Sequence, residues 1–140
     1  MLLRVKRLIL VWLVLWVGCF AARAISASDE AARNTALNWL AVVDAGQYSQ
    51  AWNAFPPRIK AGGQGANWQG LMRTRRFPLG HAKTRQFFKV THTHKLNGAP
   101  DGDYQIVAFK TSFEHKATAV EGVVLTSETG HWQVSGYAFR

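Results

Sequence analysis

Two carboxylates sit where a negative charge needs compensation. Asp44 ends an apolar-periodic stretch (Trp39, Leu40, Val43), so it meets the negative end of a helix dipole. That placement is unfavourable by ~0.3–1 kcal/mol at exposed sites. Two roles fit it. Asp44 is a general base whose pKa is raised by desolvation among Trp39, Tyr48 and Trp52, or it caps a helix beginning at Tyr48 by accepting backbone N–H bonds. Glu121 lies in a valine-rich run, between Val120 and Val123, where a lone carboxylate is costly unless paired. Arg76 and Arg85 are its candidate partners, since a guanidinium offers a two-pronged donor matched to a carboxylate. A catalytic acid or a ligand-orienting group is the other reading of Glu121. Together these residues admit a proton-transfer or dehydratase-type enzyme with Asp44 or Glu121 as base and Tyr48 as donor.

Other chemistry is thinner. His92 and His94 lie two apart, so on one strand both rings face the same way and reach for one metal ion; a site needs at least a third ligand, and no spacing demands one. Cys19 is the single cysteine, which leaves no disulfide framework or CxxC motif. No GxSxG, P-loop, HExxH or GxGxxG occurs, and no cofactor is expected. Ser112 and Ser135 have no evident base.

Charge is unevenly spread. Between Asp44 and Asp101 there is no carboxylate, yet nine Lys and Arg occur from Arg58 to Lys95, including Arg73, Arg75 and Arg76. Such a block favours anionic partners, such as an anionic envelope component, or it solvates one face and is balanced by acids from the C-terminal half. No zinc finger, helix-turn-helix or aromatic-basic RNA motif appears, and nucleic acid is not expected as a partner.

The elements that must hold these residues come in two blocks. Ser26 or Ser28 caps a first helix, with Asp29 and Glu30 in its first turn. Ala32, Ala36, Trp39, Leu40 and Val43 form its buried stripe, and Gly46 stops it. A second helix runs from Tyr48 to Phe55 and ends at Pro56-Pro57. Gly62 to Gly65 reads as a flexible connector. A third helix starts near Asn67, carries Trp68, Leu71, Met72 and Arg75, and closes at Pro78 and Gly80. Period two then takes over: Phe88, Val90, His92, His94 and Leu96 oppose Lys83, Arg85, Lys89 and Lys95. Further strands follow at Tyr104–Glu114, Ala117–Glu128 and His131–Phe139, the last two joined by Thr129-Gly130. The fold class is α+β, N-terminal helices packed on a four-stranded antiparallel sheet.

The chain's first residues read as an export signal. Arg4, Lys6 and Arg7 precede an apolar run of 15 residues, Leu8–Ala22, and the small-x-small triplet Ala22-Arg23-Ala24. That is the layout of a cleavable signal peptide, and the run is shorter than the ~20 residues that span a bilayer comfortably. An uncleaved inner-membrane anchor and lipidation at Cys19, after Gly18, are the alternatives. Residues 1–24 are thus a signal segment and 25–140 one domain, bacterial, periplasmic or secreted, monomer or homodimer. Without residues 1–24, 13 basic side chains face 8 acidic ones, a balance of +5.

The stretch Trp39-Leu40-Ala41-Val42-Val43-Asp44-Ala45-Gly46-Gln47-Tyr48, followed by Trp52, resembles the opening motif of the bacterial exported family called domain of unknown function 4019. Arg76-Phe77-Pro78-Leu79-Gly80 with Arg85, Ala99 to Tyr104, Thr111-Ser112-Phe113-Glu114 and Trp132 to Tyr137 match it in order. The resemblance implies a curved sheet wrapped round a helix, as in cystatin-like and nuclear-transport-factor-2-like rolls, with a cone-shaped pocket. It implies no activity, and no catalytic residue can be carried over. The glycine-rich loop after Pro57 departs from the pattern. The expectation that follows is a non-enzymatic domain binding a small molecule or other partner between sheet and helices. Trp39, Tyr48, Trp52, Trp68 and Tyr137 would be its wall, and Arg76, Arg85 and Glu121 its polar contacts. The alternatives are the proton-transfer enzyme and an envelope adaptor that docks its basic block on an anionic surface.

Overall fold

A computed structural model of the protein describes residues 25–140. The export signal read at residues 1–24 lies outside the described residues. Helix α1 (Ala27–Asp44) opens at Ser26, whose hydroxyl accepts the Asp29 N–H at 3.1 Å. It buries Ala32, Ala36, Trp39, Leu40 and Val43, the stripe its spacing predicts. Its end is a Schellman turn: Gly46 adopts φ 72°, and the Gly46 and Gln47 N–H groups donate to Val43 and Val42. Only a residue at ease with positive φ suits that position.

Helix α2 (Tyr48–Asn53) buries Tyr48, Ala51 and Trp52 and stops two residues short of the expected Phe55. The sequence reading leaves Pro57 to Lys60 without an element. The structure forms a short helix there, α3 (Pro57–Lys60), with proline at its first position, where the missing N–H costs nothing. Helix α4 (Gly65–Leu71) begins two residues before the predicted Asn67. A Cβ at Gly65 would lie 2.7 Å from Trp52 Nε1, so the glycine lets α4 approach the α2 indole. The helical path continues through a π-turn, Met72–Arg76, and a 3-10 turn, Phe77–Leu79. Both Met72 and Arg76 point into the core.

Four strands follow as an antiparallel meander in the order β1-β2-β3-β4: Ala82–Thr93, Tyr104–Phe113, Lys116–Thr126 and Gln133–Phe139. The α+β class with helices before the sheet is as the sequence predicts. The phase of β1 is not. Its register with β2 slips between Phe87 and Lys89, a bulge that leaves Phe88 as the extra residue. Arg85 and Phe87 pair with Thr111 and Phe109, and Val90 pairs with Val107. Arg85 and Val90 therefore share the helix-facing side of the sheet, although strict alternation puts them on opposite sides. Phe88, expected beside Val90, is 52% exposed on the other face. His94 lies beyond the end of β1.

Candidate functional site

The charged residues singled out in the sequence meet at one place, under the C-terminal end of α1. Asp44 comes from the last turn of α1, Arg76 from the π-turn, Arg85 from β1, Glu121 from β3 and Tyr137 from β4. Arg85 grips Asp44 with two donors, Nη1 to Oδ2 at 2.7 Å and Nη2 to Oδ1 at 3.0 Å. It also donates Nε to Glu121 Oε2 at 2.7 Å. Arg76 donates Nη2 to Asp44 at 2.8 Å and Nη1 to the Gly80 carbonyl at 3.0 Å. Tyr137 donates its hydroxyl to Glu121 Oε1 at 2.6 Å, and Thr111 donates to Oε2 at 2.5 Å.

Two guanidiniums and two carboxylates make this cluster neutral. It is largely buried: Glu121 is fully buried and Arg76 nearly so, while Asp44 keeps about a quarter of its side chain exposed. Arg76 lies over the Phe113 ring at 4.3 Å, and its Nε is buried without a partner. Burial disfavours the Asp44 anion, but the hydrogen bond and charge of Arg85, with the charge of Arg76, outweigh it and hold the carboxyl below its ordinary value. Burial likewise pulls Arg85 down, and its bonds to Asp44 and Glu121 reverse the sign, so it stays protonated. Burial and the Glu121 charge push the Tyr137 hydroxyl far above the ordinary tyrosine value.

Asp44 therefore does not cap α2. Gln47 occupies the cap position, and no side chain bonds there; the two guanidiniums claim both Asp44 oxygens instead. Glu121 finds the expected arginine, Arg85. Thr111 stands in the motif Thr111 to Glu114, but its bond to Glu121 has no signal in the sequence, because only strand register brings it opposite Ala119 and beside Arg85.

The aromatic residues pack mainly on one another. Trp39 stacks on Phe55 at 5.9 Å, meets Tyr137 edge-on at 5.3 Å and donates its indole N–H to the Ala51 carbonyl. Trp52 and Trp68 lie 5.7 Å apart. Clefts open at the surface around this cluster. One, of about 520 Å³, runs between α4 and β4 past Trp52, Trp68, Leu71 and Tyr137. A second, of about 450 Å³, lies against Gln47, Tyr48, Gln69, Arg73 and Phe77. A third, of about 390 Å³, adjoins it through Gly46, Tyr48 and Phe77 and reaches Asp44, Arg76, His81 and Glu114. Trp39, Arg85 and Glu121 line none of these three. Burial raises the pKa of Tyr48, on the wall shared by the last two. Phe77 is 69% exposed there, a ring that the sequence reading did not single out, though it sits in the motif from Arg76 to Gly80.

His92 and His94 do not converge. His92 Nε2 meets Asp29 at 2.7 Å, and His94 Nδ1 meets Asp103 at 2.8 Å. Among the described residues no three His, Cys, Asp or Glu side chains are grouped to hold a metal ion, and no helix is long and apolar enough to cross a membrane.

Every one of the eight carboxylates is engaged. Asp44 and Glu121 take Arg76 and Arg85, Asp29 and Asp103 take the histidines, and Glu30, Asp101 and Glu128 take Arg33, Lys95 and Arg58. Glu114 accepts the His81 backbone N–H, which lowers its pKa. Among the described residues, Arg73, Arg75, Lys83, Lys89, Lys110 and Lys116 have no carboxylate within 4.0 Å.

A family model described as "Protein of unknown function (DUF4019)" matches residues 35–137. No curated protein and no solved structure matches the chain.

Proposed function

We propose that this chain, which belongs to the DUF4019 family of proteins of unknown function, is an exported, non-enzymatic domain that binds a small ligand at the Tyr48–Phe77 wall. The observation that carries the proposal is a contrast. Both inward carboxylates are bound by guanidiniums, while Phe77 stands exposed beside Tyr48 and an uncompensated Arg73 over an open cleft. A general base near neutral pH needs a carboxyl that takes up a proton readily; Asp44 is pushed the other way. An exposed ring next to a free guanidinium suits a ligand with an apolar body and an anionic group.

Export rests on the basic, apolar, small-residue order of the first 24 residues. The helices-then-meander order supports reading the fold as a cystatin-like or nuclear-transport-factor-2-like roll, and the bulges give its sheet a means of curving. The binding site is placed on the surface and not in a central hollow, because the aromatic side chains fill the space between α1 and the sheet.

Native mass spectrometry of the protein purified from its own exported fraction tests this reading. A defined extra mass, lost on denaturation and absent from a folded Phe77→Ala variant, is the expected result. Protein at its bare calculated mass, or a ligand that Phe77→Ala retains at full occupancy, would overturn it.

A further inference from the structure

The outer face of the sheet, turned away from the helices, carries Lys89 and Lys110, two cations with no carboxylate within 4.0 Å among the described residues. Register fixes which side chains stand on it. Thr84 pairs with Ser112, and Thr118 lines the same surface cleft beside them. Gln86, Lys110, Val120 and Arg140 form the next row, the last pair through reciprocal backbone bonds. Beyond it Lys89, Ala108, Gly122 and Ala138 form a third row, and Thr91, Ile106, Val124 and Gly136 a fourth.

The third row is low. From β2 to β4 its side chains are Ala, Gly, Ala, and a Cβ placed on Gly122 would meet nothing within 4 Å. A shallow trough therefore crosses the sheet, perpendicular to the strands. Lys110 stands on one bank, in the row next to the trough. At the β1 mouth the bulge lifts Phe88 out, with the Lys110 ammonium 4.7 Å and the Lys89 ammonium 5.7 Å from its ring. At the far end of the sheet the β1–β2 loop folds over, its Pro100 carbonyl taking the Tyr104 hydroxyl. No Asp or Glu side chain belongs to these four rows; the one acidic residue within the strands, Glu121, faces inward.

We infer that this trough binds an anionic polysaccharide chain. Charge complementarity sets the sign of the partner. The trough's course across β2, β3 and β4 sets the partner's shape as a linear chain. The hydroxyl and amide side chains of Thr84, Gln86, Thr91, Ser112 and Thr118 suit a hydroxylated ligand, and Phe88 offers an apolar ring for one sugar face. A second copy of this chain would set lysine against lysine. A lipid bilayer would want more apolar side chains to insert: of the five exposed large ones among the described residues, Phe88 alone belongs to a strand. The site is distinct from the Tyr48–Phe77 cleft and does not depend on it.

The test uses alginate oligosaccharides, with neutral dextran and phosphatidylglycerol vesicles as comparisons, and reads Kd by calorimetry or fluorescence at two salt concentrations. The expected result is alginate binding that weakens as salt rises and no binding to dextran. The double variant Lys89→Gln/Lys110→Gln should weaken it about tenfold, the size of two exposed charge contacts. Phe88→Ala should weaken it severalfold, and the helix-side pair Lys60→Gln/Arg75→Gln should leave it unchanged. Thermal melts matching the unaltered chain show that each variant folds. The inference is overturned if the lysine pair leaves alginate affinity unchanged, if the helix-side pair abolishes it, or if vesicles bind and alginate does not.

Discussion

One sheet presents two faces that treat charge in opposite ways. Facing the helices, Arg85 and Glu121 are buried and completed by Asp44, Arg76, Thr111 and Tyr137. On the other side, Lys89 and Lys110 stand exposed beside the Phe88 ring, with no carboxylate within 4.0 Å among the described residues. Composition alone counts all four cations alike. The difference teaches that a basic block is two populations: cations consumed by the fold, whose removal costs stability, and cations left over, whose removal costs a partner.

The sharpest way to break that comparison is Glu121→Ala. It leaves Arg85 with a buried charge short of its partner and strands the Thr111 and Tyr137 hydroxyls, so a loss of about 3–5 kcal/mol is expected in urea unfolding. A loss below about 1 kcal/mol would mean that water or rearrangement supplies what Glu121 does. Asp44→Asn comes next, at about 1.5–3 kcal/mol near neutral pH, because Asp44 is about one-quarter exposed and its bonds are charge-assisted.

The pH dependence of that second effect has a definite sign. The Asp44 carboxyl is depressed in the fold below its ordinary value of 3.8. Its contribution is therefore complete above about pH 4 and lost as pH falls through the folded value. The gap in Tm between the unaltered chain and Asp44→Asn should accordingly close below pH 4. A gap that persists to lower pH would show that something besides ionisation separates them. Smallest of all is the outer-face pair Lys89→Gln/Lys110→Gln, whose unfolding free energy should lie within about 0.5 kcal/mol of the unaltered chain. A larger loss there would make those lysines structural and blur the two populations.

Much of the site could be read from residue types. Asp44 and Glu121 stand out as carboxylates in apolar company, and Arg76 and Arg85 read as partners for Glu121. What could not be read was the assembly. The Asp44 cap is locally reasonable, and it loses because Arg76 and Arg85 arrive from elements 32 and 41 residues away. Thr111 reaches Glu121 only through strand register. The α1 stripe was legible in full because a single helix has one period and no long-range partner need be known. The β1 face was not, since alternation assumes an unbroken pleat and the bulge at Phe88 breaks it. The helix at Pro57 had a readable signal, proline as a first-position residue, masked by the stopping role of the same Pro-Pro pair.

The bulge also bears on how relatives of this chain should be compared. Phe88 is one residue that the β1–β2 ladder does not count. A relative lacking it would align with a single-residue gap between Phe87 and Lys89 and would still keep its arginine and its valine on the helix side. Such a gap would mark the absence of the outward ring alone, with the ion-pair cluster intact. The inner half of the molecule is thus free to be inherited unchanged while the outer surface gains or loses an aromatic by insertion.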